Sequence, residues 1–201
     1  MKRLLTLTLV FAGACAPDVA EAKPLTGCTV VVLPGGAFSG LNESLNAAAV
    51  RDLGARVIVQ KYPVRDVPGA YRSVNRPRSV LLGESAGGAI AAWAAAHRRA
   101  RAAVTIGAPL DFRLWQPDPS YFPGTPWHWS PLRVYHGQRP LTTIQWTRDP
   151  IVPANQPALH GARRITLKGL GHQGAPRSVL RRELRRACAT PGARRPPVFA
   201  L

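Results

Sequence analysis

The chain has 201 residues, a length that favours one domain, because a second core would leave too little apolar surface for each. An apolar fraction of 46% excludes an intrinsically disordered chain and supports a packed interior. The 27 Lys and Arg residues outnumber the 10 Asp and Glu residues, but they are scattered rather than interleaved with aromatic residues, so no specific nucleic-acid binding is expected.

Residues 1–22 have the features of an export signal peptide. A positive start precedes an uncharged, mostly apolar run, Leu4–Ala14, and small residues precede a cut before Lys23. The run is too short for a helix that spans a bilayer. We therefore predict a periplasmic or secreted protein, with a buried first helix as the alternative. Lipid attachment at Cys15 is less favoured, because the residue three places before it is not the usual aliphatic one.

Short β-rich runs alternate with helix-like stretches over residues 23–190, which we interpret as one domain. Most of the runs contain Val, Ile and Leu with few polar breaks, as expected for strands covered on both faces. The pattern predicts an α/β fold with a mostly parallel sheet of about six strands and flanking helices. The predicted strands are Cys28–Leu33, Arg56–Lys61, Ser79–Leu82, Ala102–Ile106, Leu141–Thr147 and Arg163–Leu167.

Helical periodicity occurs in three stretches. The first carries an apolar stripe that ends at Gly54, and the last is apolar on one side and arginine-rich on the other. We predict that this arginine-rich face is exposed to solvent. Contact of this face with an anionic surface is the alternative. The predicted helices are Glu43–Leu53, Ala86–Arg99 and Pro176–Ala187.

Three segments fall outside this alternation. The Tyr62–Pro77 crossover is short and holds three prolines, so at most two helical turns fit there. Residues 108–140 form a long irregular stretch with half of the chain's aromatic residues, which predicts a lid or binding loop; rings that fill a gap in a small core are the alternative. Residues 191–201 are read as a loose tail. Candidate substrate-contacting residues are Phe38, Trp115, Trp127 and Trp129.

Two cysteines remain after the predicted cut. Cys28 and Cys188 can form a disulfide, which export permits, or can be two buried free thiols. No CxxC or paired Cys/His spacing suggests a structural zinc, so we expect no metal.

A serine lies in a glycine-rich turn between a predicted strand and a predicted helix. Gly83-Glu84-Ser85-Ala86-Gly87-Gly88 matches G-x-S-x-G in the context that forms a nucleophile elbow. The turn is so tight that side chains at positions 83 and 87, two places on either side of Ser85, would collide. An ordinary glycine turn is the alternative.

The hydroxyl of Ser85 needs a base, and the base needs an acid to orient it. His172 follows the last predicted strand and Asp149 follows the fifth, and the carboxyl ends of parallel strands share one edge of a sheet. The chain order Ser, Asp, His is the one expected for this type of fold. Asp111 is the reserve candidate for the acid, and Asp149 as a turn residue before Pro150 is the alternative. The other histidines, His97, His128, His136 and His160, are less well placed.

An oxyanion needs two backbone N–H donors. We expect one from Ala86, the residue after the nucleophile, and the other from the loop after the first strand. There, Gly35 and Gly36 let the backbone approach a substrate without side chains in the way.

These blocks resemble those of α/β-hydrolase esterases. Pro34-Gly35-Gly36-Ala37-Phe38, the serine turn, Asp149-Pro150-Ile151-Val152-Pro153 and Gly171-His172-Gln173-Gly174 are similar to the motifs of hormone-sensitive-lipase-like carboxylesterases and of acetylxylan- and feruloyl-esterase-like enzymes. The resemblance implies triad roles for Ser85, Asp149 and His172 and oxyanion roles for Gly35, Gly36 and Ala86.

The chain also departs from that family. Pro34 replaces a histidine, Ala37 replaces a third glycine, and Gln145-Trp146-Thr147 stands where His-Gly-Thr is common. We further expect a sheet trimmed at its N-terminus.

The sequence therefore predicts a serine hydrolase that cleaves carboxylic esters through an acyl-enzyme, with a small-molecule ester as substrate and no cofactor. The alternatives are a peptidase or amidase of the same fold and a non-catalytic binding protein on a hydrolase scaffold. The pattern contains no indication of the oligomeric state.

Overall fold

The computed structural model describes residues 24–36, 46–63, 65–115, 127–172 and 174–191. The predicted signal peptide (1–22), Phe38 and nearly all of the predicted tail (191–201) lie outside these ranges. The strands are β1 Thr29–Leu33, β2 Arg56–Val59, β3 Arg76–Glu84, β4 Ala100–Ile106, β5 Leu141–Arg148 and β6 Arg163–Leu170. The helices are α1, described over 46–51, α2 Val67–Ser73, α3 Ala86–Ala96, α4 Pro131–Val134 and α5 Arg177–Ala189, with a 3₁₀ turn at Trp127–Trp129.

The strands described here form one parallel sheet in the order β2-β1-β3-β4-β5-β6. This confirms the predicted α/β class with a sheet of about six strands. The strand order reverses between β1 and β3, because the chain leaves β1 in one direction and returns past it to form β3. In open parallel sheets a crevice opens at the carboxyl edge where the order reverses.

Apolar side chains cover both faces of the sheet. On one face, Val31 and Leu81 pack in a cluster with α2 and α3; on the other, Val32 and Leu82 pack with α1 and α5. Every residue of α3 is buried, and most of them are alanines, so this helix can pack closely against the sheet. Burial on both faces explains why the central strands have few polar residues.

The predicted elements differ from the observed ones mainly at their ends. Strand β3 begins at Arg76 rather than Ser79, and β6 continues to Leu170 rather than Leu167. The short crossover contains α2, whose seven residues fit the predicted limit of two turns. The Asp66 carboxylate caps this helix by accepting a hydrogen bond of 2.9 Å from the Gly69 N–H.

Cys28 and Cys188 form a disulfide, so one of the two possibilities left open by the sequence is realised. The bond ties the residue before β1 to α5, across a sequence separation of 160 residues. A cross-link over so long a loop removes much of the conformational freedom of the unfolded chain.

No helix in the described ranges is long and apolar enough to cross a membrane.

Candidate active site

Ser85 occupies a sharp turn between β3 and α3. Its φ of 48° and ψ of −123° form a conformation that side-chain-bearing residues rarely adopt. The neighbouring glycines make this turn possible, since a Cβ on Gly83 would overlap the Gly87 carbonyl and a Cβ on Gly87 would overlap the Leu33 carbonyl. The Ser85 side chain makes no capping hydrogen bond to α3. A strained serine with a hydroxyl that does not cap its helix is the arrangement expected of a nucleophile elbow.

His172 and Asp149 are joined at the carboxyl edge of the sheet. The imidazole Nδ1 lies 2.9 Å from Asp149 Oδ1 and 2.8 Å from Oδ2. The Asp149 side chain is fully buried and that of His172 is 8% exposed. The N–H groups of Ile151 and Val152 also donate to Asp149 Oδ1, at 2.9 and 2.8 Å, and so fix the carboxylate. A carboxylate that accepts the Nδ1 proton leaves the lone pair of a neutral imidazole on Nε2, where a base is needed.

Gly107 connects this pair to the serine turn. It follows β4 with a φ of +55°, and a Cβ there would overlap the His172 carbonyl and lie 3.1 Å from His172 Nδ1 and 3.2 Å from Asp149 Oδ2. Ser85 N donates to the carbonyl of Ile106, the residue before Gly107, at 2.9 Å. The serine turn and the His–Asp pair therefore border the same short segment after β4. Gly107 was not among the residues predicted for the site, although a lone glycine directly after a buried strand marks such a close approach.

Trp146 supports the loop that carries His172. The indole Nε1 donates to the Gly174 carbonyl at 3.2 Å, and a Cβ on Gly171 would lie 2.5 Å from the indole ring. The ring therefore packs directly against the Gly171 backbone, one residue before the histidine. In the sequence Trp146 is only a departure from a family motif, because the packing of a residue on a distant loop leaves no local signal.

The predicted oxyanion residues lie beside the serine turn, as far as they are described. The Leu33 and Pro34 carbonyls contact Gly87 in the first turn of α3, so the start of the β1 loop packs against the residues that follow Ser85. Gly35 and Ala86 are both buried. Ala37 and Phe38, the rest of that predicted block, lie outside the described residues. The oxyanion roles of Gly35, Gly36 and Ala86 stay predictions.

The described aromatic residues of the predicted lid pack into the protein. Trp115 is 6% exposed in the same core cluster as Phe112, whose ring centroid is 5.8 Å away. Trp129 is half-buried, and its ring lies 5.7 Å from that of Tyr71. These contacts favour the core-filling alternative for both tryptophans, and their contact with a substrate stays a prediction. Trp127 belongs to the 3₁₀ turn.

Asp111, the reserve acid, has a different partner. Its carboxylate forms an ion pair with Arg113 at 2.7 Å, and the hydrogen bonds from this guanidinium lower the pKa of Asp111 from its ordinary value. Asp149 is the carboxylate that contacts His172. Among the other histidines, His97 stacks on Trp93 with ring centroids 3.6 Å apart. The described residues contain no cluster of three or more His, Cys, Asp or Glu side chains that could hold a metal ion.

Solved structures of the α/β-hydrolase fold share this architecture. The esterase domain of a Rhodothermus marinus protein aligns with a TM-score of 0.60 and 18% identity, over 83% of this chain and 89% of that domain. A Xanthomonas campestris hydrolase of the α/β superfamily aligns with a TM-score of 0.54 and 19% identity, over 80% of this chain and 99% of that one. A puromycin-hydrolysing peptidase of Mycobacterium tuberculosis aligns with a TM-score of 0.55 and 20% identity, over 89% of this chain but 35% of the peptidase.

The chain thus has the α/β-hydrolase fold, which confirms the fold predicted from its motifs. It matches no protein-family model and none of the curated proteins with which it was compared. At identities of 15–20%, the likeness to these structures shows a shared fold only. The chemistry of the site has to be argued from the residues described above.

Proposed function

We propose that this protein is a serine hydrolase that cleaves carboxylic esters, with Ser85 as nucleophile, His172 as base and Asp149 as the acid that orients it. The observation that carries the proposal is the buried hydrogen bond between Asp149 and His172 Nδ1, at 2.8 Å, beside the segment that borders the Ser85 turn. A buried carboxylate that selects one imidazole tautomer next to a strained serine is the arrangement that acyl transfer requires.

In this mechanism His172 Nε2 takes the proton of Ser85 Oγ while the oxygen attacks the ester carbonyl. The imidazolium that forms is stabilised by the ionised Asp149, which keeps its own charge. His172 then protonates the leaving alcohol and an acyl-serine remains. A water molecule, deprotonated by the same imidazole, attacks the acyl-serine and releases the acid.

The negative charge on the carbonyl oxygen needs donors at the start of α3. The Ala86 N–H is one, because it follows the nucleophile at a helix N-terminus whose dipole favours negative charge. We assign the second to the Gly35–Gly36 segment, because it directly follows Leu33 and Pro34, whose carbonyls lie against Gly87 in the same helix turn. Both proposed donors are backbone groups, so a side-chain substitution does not remove them.

A fluorophosphonate probe tests the nucleophile directly. Wild-type protein should be labelled at Ser85 and hydrolyse p-nitrophenyl acetate, whereas Ser85→Ala should do neither. His172→Ala should lose on the order of a thousandfold or more in turnover, as expected for a disrupted triad. His160→Ala is the matched control, because His160 is exposed and outside the site. A near-normal rate for His172→Ala would assign the base to another residue, and an unlabelled wild type would favour the non-catalytic binding protein.

The likeness to the puromycin-hydrolysing peptidase keeps an amide substrate as the second candidate. The same nucleophile and base serve both reactions, and they differ in the leaving group that His172 must protonate. Comparing p-nitrophenyl acetate with a peptide anilide on the same protein separates them. We expect a kcat/KM at least tenfold higher for the ester, and the opposite order would make this protein a peptidase or amidase.

A further inference from the structure

A groove opens at the amino edge of the sheet, the edge opposite the proposed active site. Its volume is about 540 Å³, which is within the range of small-molecule sites. The starts of β4, β5 and β6 and the last turns of α5 form its walls. The lining includes Arg163, Arg164 and Arg186 beside small and apolar residues such as Ala102 and Leu141.

Three arginines are the charged residues of this lining, and the nearby carboxylate does not balance them. Glu183 is fully buried; its Oε2 lies 3.1 Å from Arg163 Nε and 3.7 Å from Arg186 Nη1. Arg182, outside the lining, binds the other oxygen of Glu183 at 2.8 Å. One carboxylate therefore already serves three guanidinium groups.

Arg164 adds a further positive charge. Its Nη1 donates to the Gln156 carbonyl at 2.9 Å and its Nη2 to the Ala154 carbonyl at 3.3 Å. These neutral acceptors orient the guanidinium but leave its charge uncompensated, and within the described ranges no carboxylate pairs with it. Arg163, Arg164 and Arg186 carry three positive charges in the lining, and the single carboxylate of Glu183 is shared with Arg182, so the groove keeps a net positive charge.

We propose that this groove is a binding site for a phosphate dianion. A phosphate monoester carries a charge of about −1.5 to −2 at neutral pH, opposite in sign to the net positive charge of the groove. Guanidinium groups bind phosphate oxygens through paired N–H donors. Arg163 uses Nε for Glu183 and its side chain is 45% exposed, and that of Arg186 is 54% exposed, so both have donors to offer a ligand.

The groove is spatially separate from the proposed site of ester cleavage. Strands β4 to β6 have seven or eight residues, so the two edges are roughly 25 Å apart at about 3.3 Å per residue. The site therefore holds a ligand that is not the ester being cleaved. Two sources share the required chemistry: a soluble phosphate monoester and the headgroup of an anionic phospholipid.

Calorimetric titration of the full chain with glycerol 3-phosphate, at constant ionic strength, tests the soluble source. Sedimentation with phosphatidylcholine vesicles that contain about 20% phosphatidic acid tests the headgroup, with pure phosphatidylcholine as background. Arg164→Gln should weaken binding about tenfold or more, because it removes a charge-assisted donor while the ion pairs of Glu183 remain. Arg72→Gln, an equal change of charge at an exposed residue of α2, is the matched control and should change binding less than about twofold.

Binding to either ligand that Arg164→Gln weakens and Arg72→Gln does not supports the site, and the ligand that binds identifies the source. Arg186→Gln gives a second test on another wall of the groove, should Arg164→Gln fold poorly by circular dichroism. Absence of binding to both ligands, or equal weakening by Arg72→Gln, would overturn the proposal. Hydrolysis of p-nitrophenyl acetate by the groove variants should equal that of the wild type, so this test does not depend on the proposed function.

Discussion

Replacing Asp149 by Asn separates the electrostatic role of this residue from its role in the fold. The Asn side-chain oxygen can still accept the N–H groups of Ile151 and Val152, which donate to Asp149 Oδ1 at 2.9 and 2.8 Å. The amide nitrogen then takes the place of Oδ2, 2.8 Å from His172 Nδ1. Because that nitrogen donates, the imidazole must accept through Nδ1 and carry its proton on Nε2. Nε2 can then no longer take the proton of Ser85.

We expect Asp149→Asn to lower kcat on the order of 10⁴-fold, the size of the effect of the wrong imidazole tautomer. This corresponds to about 5.4 kcal/mol of lost transition-state stabilisation. The assay is the steady-state hydrolysis of p-nitrophenyl acetate, with thermal melting to show that the fold persists. Asp52→Asn is the control, because the Asp52 carboxylate is 56% exposed and pairs with Arg177. A decrease of less than about tenfold, in a folded variant, would refute the role assigned to Asp149.

Two further predictions concern the supports of the site and of the fold. Trp146→Phe keeps a ring against Gly171 but loses the donor to the Gly174 carbonyl, so kcat should fall about three- to tenfold. Trp93→Phe, a change of the same kind in a ring that stacks on His97, should leave the rate unchanged, and equal rates for the two variants would contradict a positioning role of Trp146. Cys188→Ser should lower the free energy of unfolding by about 3–5 kcal/mol, measured by denaturant titration. Reductant should destabilise the wild type to a similar level and leave the variant unaffected; a variant as stable as the oxidised wild type would contradict this.

The elements that the sequence predicted best are those with a local signal. The valine- and leucine-rich runs before Pro34 and Gly83 became β1 and β3, because strands covered on both faces need apolar residues at nearly every position. The ends of the strands were predicted less well. Strand β3 extends back to Arg76 through exposed residues that have no apolar pattern, and the pairing of Arg76 with Ala100 of β4, across a register shift, is what attaches this end to the sheet.

The aromatic stretch shows the opposite case. Its composition is compatible with a lid and with core filling, and the contacts that favour core filling for Trp129 are made with residues outside the stretch. The Tyr71 hydroxyl, on α2, donates to the Trp129 carbonyl at 2.7 Å, and the Tyr71 ring stacks on Trp93 of α3. Since these partners are distant in the chain, the local pattern does not contain this information.

The sequence by itself determined the α/β alternation, the glycine turn around Ser85 and the chain order of the three proposed catalytic residues, because periodicity and turn chemistry act between near neighbours. Only the tertiary structure decided that Asp149 rather than Asp111 contacts His172, that Cys28 bonds to Cys188, and that arginines of β6 and α5 share one groove. Those outcomes depend on strand order and loop packing, which bring together side chains that are far apart in the chain. The spatial distances between these side chains are set by the packing of the whole core rather than by any short segment.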